Sequence, residues 1–141
     1  MARSRQTLSV YNQELTNSAL VEHLIAAKRR GVDVQVLAAH PQSGTDGNAW
    51  ALKKLQAAGI TASEMTTDYL HAKAMVADDR AFVGSQNFSD NAMFKNRELG
   101  DLIDDPAAVG QLRQWFLDDQ AANPPPPAAT GTAPRKTPST G

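Results

Sequence analysis

The stretch that decides the fold of this 141-residue chain is residues 71–87, which read HAKAMVADDRAFVGSQN. It begins with His71 and Lys73, whose spacing of two places both side chains on one face of a predicted strand. The histidine supplies a nucleophile or proton carrier, and the lysine beside it supplies a fixed positive charge. The glycine, serine and asparagine that end the stretch let backbone and side chains approach phosphate oxygens. Together these residue types indicate phosphoryl-transfer chemistry.

Strand and helix patterns alternate before this stretch. Thr7 to Asn12 reads as a strand, and Thr16 or Asn17 can cap a helix that runs through Arg30. Gly31 is a natural stop, and residues 32–37 alternate as a second strand. This βαβ unit predicts that the first two strands are parallel. A helix near 47–58 and a short strand near 60–65 follow.

The second half of the chain predicts a hairpin and a closing helix. Residues 70–77 and 81–83 read as strands joined by a turn at 78–80. Ser89 can cap a short helix, and residues 99–103 form one more strand. Pro106 opens a final helix through about residue 121, whose predicted packing face is Val109, Leu112, Trp115 and Phe116. Trp50 is also predicted to be a packing residue.

Composition excludes several classes of protein. A net charge of −1 with 41% apolar residues is unlike a strongly basic nucleic-acid binder or a membrane protein, although a local positive cleft stays possible. Cysteine is absent, so no disulfide framework, thiol nucleophile or cysteine-ligated zinc is available. The sequence carries no signal-peptide core and no apolar run of transmembrane length. We therefore expect a cytoplasmic or peripheral membrane location without stable membrane insertion.

The C-terminal segment differs from the rest of the chain. Residues 123–141 hold six of the eight prolines and no large apolar residue. Such a segment cannot bury enough surface to fold and is expected to be a disordered tail. The predicted organisation is a single domain at 1–122, followed by this tail at 123–141.

Residues 71–87 resemble the signature of the phospholipase D superfamily, in which H-x-K is followed by an aspartate and then by G-S-x-N. The resemblance extends to the flanks at 11–15, 26–36 and 96–100. It implies an α/β fold with a mixed β-sheet flanked by helices. The spacing from Asp78 to Gly84 is one residue shorter than is usual in the family, which leaves open whether Asp78 or Asp79 fills the motif position.

The resemblance also implies a mechanism and a site. His71 would attack phosphorus and form a covalent phosphohistidine that water or an alcohol then resolves. Lys73 and Asn87 would hold the nonbridging oxygens, and Ser85 would add a hydroxyl or backbone contact near a helix start. Glu98 matches the glutamate that orients the histidine.

Asp78 is included among the catalytic residues, although in relatives of the superfamily it often has a structural role. The mechanism requires no metal or other cofactor. His40 and Glu14 follow strand ends, where α/β proteins bind ligands, so contact with substrate is an open alternative for both.

The chain has a single H-x-K motif, whereas phospholipase D sites are built from two. A symmetric homodimer would supply the second motif from an identical face. The alternatives are the C-terminal half of a longer two-motif enzyme, or a catalytically incomplete half-domain. These flanks resemble such C-terminal halves.

The expected substrate is a phosphodiester. A phospholipid is the first choice, and nucleic acid, cleaved by a non-specific endonuclease, is the alternative. The candidate basic tracks for a nucleic-acid strand are 28–30 and 53–54. Hydrolysis and transphosphatidylation both fit the motif.

Overall fold

A computed structural model describes residues 4–127, and residues 128–141 of the expected tail lie outside the described part. This part holds six strands and four helices, with β3, β4 and β5 following one another directly. The strands are β1 (Thr7–Asn12), β2 (Asp33–Ala39), β3 (Thr61–Met65), β4 (Lys73–Ala77), β5 (Arg80–Gly84) and β6 (Gly100–Ile103). The helices are α1 (Ser18–Arg29), α2 (Ala49–Ala57), α3 (Asp90–Phe94) and α4 (Pro106–Ala122). Within residues 4–127, no helix is long and apolar enough to cross a membrane.

The predicted βαβ unit is confirmed. Of the two possible caps, Asn17 is the one used, and its side chain accepts from the Leu20 amide at 2.9 Å. Gly31 ends the helix with a φ of +89°, a conformation that glycine adopts without steric penalty. β2 then lies parallel to β1.

The six strands form one mixed sheet in the order β3-β2-β1-β4-β5-β6. β1, β2 and β3 are parallel, whereas β4 runs antiparallel to β1 and forms the predicted hairpin with β5. β6 is antiparallel to β5 and lies at the edge of the sheet. The predicted α/β fold, a mixed sheet flanked by helices, is therefore confirmed.

Helices cover both faces of the central strands. α1 and α2 bury one face with Leu24 and Leu55, and α4 buries the other with Phe116, whose ring meets Tyr11 edge-on at 5.0 Å. Each such fully buried apolar side chain contributes about 2–3 kcal/mol of hydrophobic free energy. The central strands are thereby held rigidly, and the residues at their ends are positioned.

Three expectations about individual residues are wrong. His71 precedes β4 and does not lie within a strand, because β1 ends at Asn12 and offers no partner beyond the Asn12–Lys73 pair. Trp50 and Trp115 are 41% and 56% exposed, so neither is a packing residue. Asn123, which the sequence placed in the tail, is buried and accepts from the Thr66 amide at 2.8 Å.

Candidate active site

The signature residues meet at one end of the central strands, where β1 and β5 finish and β4 begins. Because β4 runs antiparallel to both β1 and β5, its start lies beside the ends of those two strands. Gln13 follows β1, His71 precedes β4, and Ser85 and Asn87 follow β5. The topology therefore brings His71, Lys73, Ser85 and Asn87 to the same end of the strands, as the resemblance implied.

Lys73 is the buried cation of this site. Its side chain is nearly covered, and its Nζ donates to Oε1 of Gln13 at 2.7 Å and to the carbonyl oxygen of His71 at 2.8 Å. Burial lowers the pKa of Lys73, and the charges of Glu14 and Glu98 partly oppose this shift. Two neutral oxygens therefore orient the ammonium group, and because they carry no net charge, its positive charge can still attract an anion.

Asn87 points at the same position as Lys73. Its Nδ2 donates to Oε1 of Gln13 at 3.5 Å, so one amide oxygen receives both donors. The Oδ1 atom of Asn87 is buried and has no hydrogen-bond partner in the structure. An orphaned polar atom of this kind is uncommon in a folded protein and marks a place where a further donor would be accommodated.

Asn12 holds the loop that carries Asn87. Its Oδ1 accepts from the Phe88 amide at 2.9 Å, and its Nδ2 donates to the carbonyl oxygen of Gln86 at 3.2 Å. Asn12 is itself almost fully buried at the end of β1. Sequence analysis assigned no role to Asn12, because Gln86 and Phe88, its two partners in the loop, lie more than 70 positions away in the chain.

Glu98 contacts Ser85 and not His71 in this chain. The Ser85 hydroxyl donates to the Glu98 carboxylate, and Asn96 Nδ2 donates to its Oε1 atom at 3.1 Å. These hydrogen bonds, that of Ser85 above all, lower the pKa of Glu98, and the Lys73 charge adds to the effect. The expected contact between Glu98 and His71 is therefore not made, because Glu98 precedes β6, beyond β5 from the start of β4.

Gly84, Gly100 and Phe82 shape the loop beside Ser85. A Cβ added to Gly84 would lie 2.7 Å from the Phe82 ring, and one added to Gly100 would lie closer still to it, so a larger residue at either position would displace this ring. Ser85 lies four residues before Ser89, the cap of α3, so it is not itself at the start of that helix. Its hydroxyl donates to Glu98, and its contact with a phosphate stays a prediction.

His71 is exposed and stacks on Tyr69. The ring centroids are 6.3 Å apart with an interplanar angle of 22°. The Tyr69 hydroxyl accepts from Nε2 of Gln13 at 2.8 Å, so Gln13 joins the tyrosine to Lys73. Sequence analysis missed both Gln13 and Tyr69, although the spacing of two between Tyr69 and His71 was a usable signal.

Asp78 lies at the opposite end of β4. Five residues of extended chain separate it from Lys73, about 16 Å. Its carboxylate accepts from the backbone amides of Arg5, Gln6 and Thr7 at 2.8–2.9 Å. Burial opposes ionisation, but these donors prevail and lower the pKa of Asp78. The structure gives Asp78 a structural role at the hairpin turn, where its φ is +51°.

The two other histidines, His40 and His23, are each hydrogen-bonded to a nearby group. His40 bonds to Glu64 at 2.6 Å and lines a groove of about 230 Å³ that Gln13 and Tyr69 also line. His23 bonds to the Ala19 carbonyl oxygen on α1. Among residues 4–127, no three or more His, Asp or Glu side chains form a group that could hold a metal ion.

Apolar side chains are exposed next to the site. Leu99, which directly follows Glu98, is 83% exposed, and Phe94 and Leu102 are each 77% exposed. Leu102 pairs with Phe82 across β5 and β6. Phe82 also lines a cavity of about 160 Å³ that extends to Lys73. We call Phe94, Leu99 and Leu102 the β6 surface.

Solved structures share this fold. The phospholipase D family member Nuc from Salmonella typhimurium superposes with a TM-score of 0.79 at 21% identity, covering 86% of this chain and 82% of that one. NucT from Helicobacter pylori gives a TM-score of 0.74 at 16% identity, with 88% and 84% covered. The class of fold is therefore the one seen in these two proteins.

The family follows from the sequence match. A model of the family described as "Cardiolipin synthase, PLD-like domain" matches residues 1–120, and the chain belongs to this family. A mitochondrial cardiolipin hydrolase from Chlamydomonas reinhardtii is 25% identical over 118 residues, which cover 82% of this chain and 52% of that protein. A cardiolipin synthase from Staphylococcus aureus is 29% identical over 127 residues, with 82% and 25% covered. The chain thus spans about half of the first relative and a quarter of the second.

Proposed function

We propose that this protein hydrolyses phosphodiesters through a covalent intermediate on His71. The observation that carries the proposal is the convergence of two donors, Lys73 and Asn87, on one acceptor position. A buried ammonium and a positioned amide are the groups that bind nonbridging phosphoryl oxygens as charge accumulates there. The imidazole of His71 lies at the same end of the strands, and it is exposed, so a phosphorus atom can reach it.

The reaction proceeds in two displacements. A neutral imidazole nitrogen of His71 attacks phosphorus, the bond to one ester oxygen breaks, and a general acid protonates that leaving oxygen. Water then attacks the phosphohistidine, which releases the phosphomonoester and restores His71. The general acid of the first step takes the proton of this water. An alcohol in place of water would give transphosphatidylation by the same route.

The general acid comes from a second copy of the chain. We assign this role to His71 of the partner subunit, because the sequence holds a single H-x-K motif. The β6 surface supports a homodimer, since its three large apolar side chains are left in water by one chain alone. A symmetric pair that buries them would bring the same face of both subunits together.

A phospholipid is the proposed substrate, with nucleic acid as the second candidate. The basic run at 28–30 closes α1 just before β2 begins, so it lies at the other end of the strands from the site. Lys54 pairs with Glu22 between α1 and α2, also away from the site. Neither run therefore forms a positive track that leads a nucleic-acid strand to Lys73. The named activities of cardiolipin hydrolase and cardiolipin synthase relatives fit the lipid choice.

Hydrolysis of bis(4-nitrophenyl) phosphate tests this proposal. We expect 4-nitrophenol release by the full chain, abolished by His71→Ala and retained by His23→Ala, which removes a histidine on α1. Sedimentation should give twice the chain mass of 15.1 kDa. A strict monomer without activity would instead identify a catalytically incomplete half-domain. Parallel assays on phosphatidylcholine vesicles and plasmid DNA separate the two substrate classes.

A further inference from the structure

The side chain of Gln13 occupies the centre of the proposed phosphate site. Its Oε1 atom accepts from Lys73 at 2.7 Å and from Asn87 at 3.5 Å. Its Nε2 atom donates to the Tyr69 hydroxyl at 2.8 Å. The carboxamide is thus held at both ends, and its oxygen lies where the two phosphate-binding side chains converge.

The Oε1 atom of Gln13 takes the hydrogen-bonding position that we assign to a nonbridging phosphoryl oxygen, but it carries no negative charge. Both accept from an ammonium and an amide, yet the carboxamide of Gln13 is neutral. A neutral acceptor satisfies the buried Lys73 without cancelling its charge, whereas a carboxylate at this position would form a closed ion pair. Lys73 therefore keeps its electrostatic attraction for a second, anionic acceptor.

We propose that Gln13 is an internal competitor that a phosphodiester displaces from Lys73 and Asn87. This inference rests on the proposed function, since it concerns the same phosphate site. Binding of a phosphoryl oxygen breaks the two contacts to Oε1, and the carboxamide turns toward the groove that Gln13 lines with His40. Because Gln13 is only partly buried, this rotation needs no backbone movement. Lys73 stays anchored through the His71 carbonyl oxygen.

Competition of this kind predicts a gain of affinity when the side chain is removed. Gln13→Ala should tighten the binding of inorganic phosphate about fivefold, since one hydrogen bond to a charged donor no longer has to be broken. The KM for bis(4-nitrophenyl) phosphate should fall by a similar factor, while kcat changes less than about twofold. Titration calorimetry measures the first quantity without requiring turnover.

Gln13→Glu is the complementary variant. It keeps the size and the acceptor oxygen but places a negative charge on Lys73, so phosphate binding should weaken more than about tenfold at pH 7.5. A merely structural role, in which any acceptor at this position suffices, would leave phosphate binding unchanged. Gln114→Ala is the matched control, because Gln114 lies on α4 and donates to Asp118 at 2.8 Å.

The outcomes separate this inference from the proposed function. Tighter phosphate binding by Gln13→Ala supports the competitor, whether or not the melting temperature falls with the loss of an acceptor for Lys73. Equal or weaker binding by Gln13→Ala overturns it, even if His71-dependent hydrolysis by the natural chain upholds the proposed function. If neither the natural chain nor Gln13→Ala binds phosphate, both the phosphate site and the competitor are wrong.

Discussion

The hydroxyl of Ser85 donates to the carboxylate of Glu98, and this contact ties the end of β5 to the segment that leads into β6. The Leu99 amide donates back to the Ser85 oxygen at 3.1 Å, and the Ser85 amide donates to the Leu99 carbonyl oxygen at 2.9 Å. Glu98 is thus fixed at the entry to β6, next to Leu99. Within a single chain, these hydrogen bonds hold the G-S-x-N loop in place.

Ser85→Ala should raise the pKa of Glu98 toward its usual range. The hydrogen bond from Ser85 is the main cause of the lowered pKa of this carboxyl, so its loss makes the carboxylate easier to protonate. The measurement is the pH titration of the Glu98 carboxyl carbon by NMR, and Ser85→Thr, which keeps a hydroxyl, should restore the original titration. Coinciding titrations for the natural chain and Ser85→Ala would contradict the role of this bond.

Lys73→Met should abolish hydrolysis and yet stabilise the fold. Burial lowers the pKa of Lys73, so the folded state binds this proton less tightly than the unfolded chain, and below the folded pKa the charge opposes folding. Replacing the ammonium with an apolar chain should raise the unfolding free energy by about 1 kcal/mol. Urea denaturation measures this, with the exposed Lys53→Met as control. A destabilised Lys73→Met would show that the two hydrogen bonds of Lys73 outweigh its burial.

Asp78→Asn should lower stability without changing the chemistry. The pKa of Asp78 is lowered in the folded state, so its carboxylate stabilises the fold above the unfolded pKa and ceases to do so as the pH falls through the folded pKa. At pH 7 we expect a loss of about 1 kcal/mol, with solvent screening taken into account. Asparagine tolerates the positive φ, so the variant isolates the charge.

Asp79→Asn serves as the control for this prediction, since Asp79 is exposed at the same turn. In thermal melts, the difference between the natural chain and Asp78→Asn should shrink as the pH falls below the ordinary aspartate range toward the lowered pKa of folded Asp78. A loss of kcat in folded Asp78→Asn, with KM and stability unchanged, would instead return Asp78 to the catalytic residues.

Leu102→Lys should weaken the proposed homodimer and its activity together. Leu102 is mostly exposed on the edge strand, and burying a lysine there in a symmetric interface introduces two charges into an apolar contact. Sedimentation velocity should show a shift toward monomer, with activity that recovers at high protein concentration. Leu117→Lys, on the exposed side of α4, is the control. A dimeric Leu102→Lys with full activity would place the interface elsewhere.

The fold was readable from local patterns, whereas much of the site was not. Gly31 and the alternating strand after it predict the βαβ unit, because turn chemistry and period are local properties. The contact of Gln13 with Lys73 depends on the pairing of β1 with β4, across 60 positions of chain, which no local pattern specifies. Trp115 was assigned to the wrong face of α4, since the side of a helix that is buried is decided by the sheet beneath it.

The most direct test of the central claim is the mass of the trapped intermediate. The natural chain is mixed with bis(4-nitrophenyl) phosphate, quenched in alkali during turnover and analysed by mass spectrometry of its peptides. We predict a 4-nitrophenyl phosphate adduct on His71, absent from His71→Ala and unchanged in His23→Ala. Steady turnover without any adduct on His71, or full turnover by His71→Ala, would contradict nucleophilic attack by this histidine.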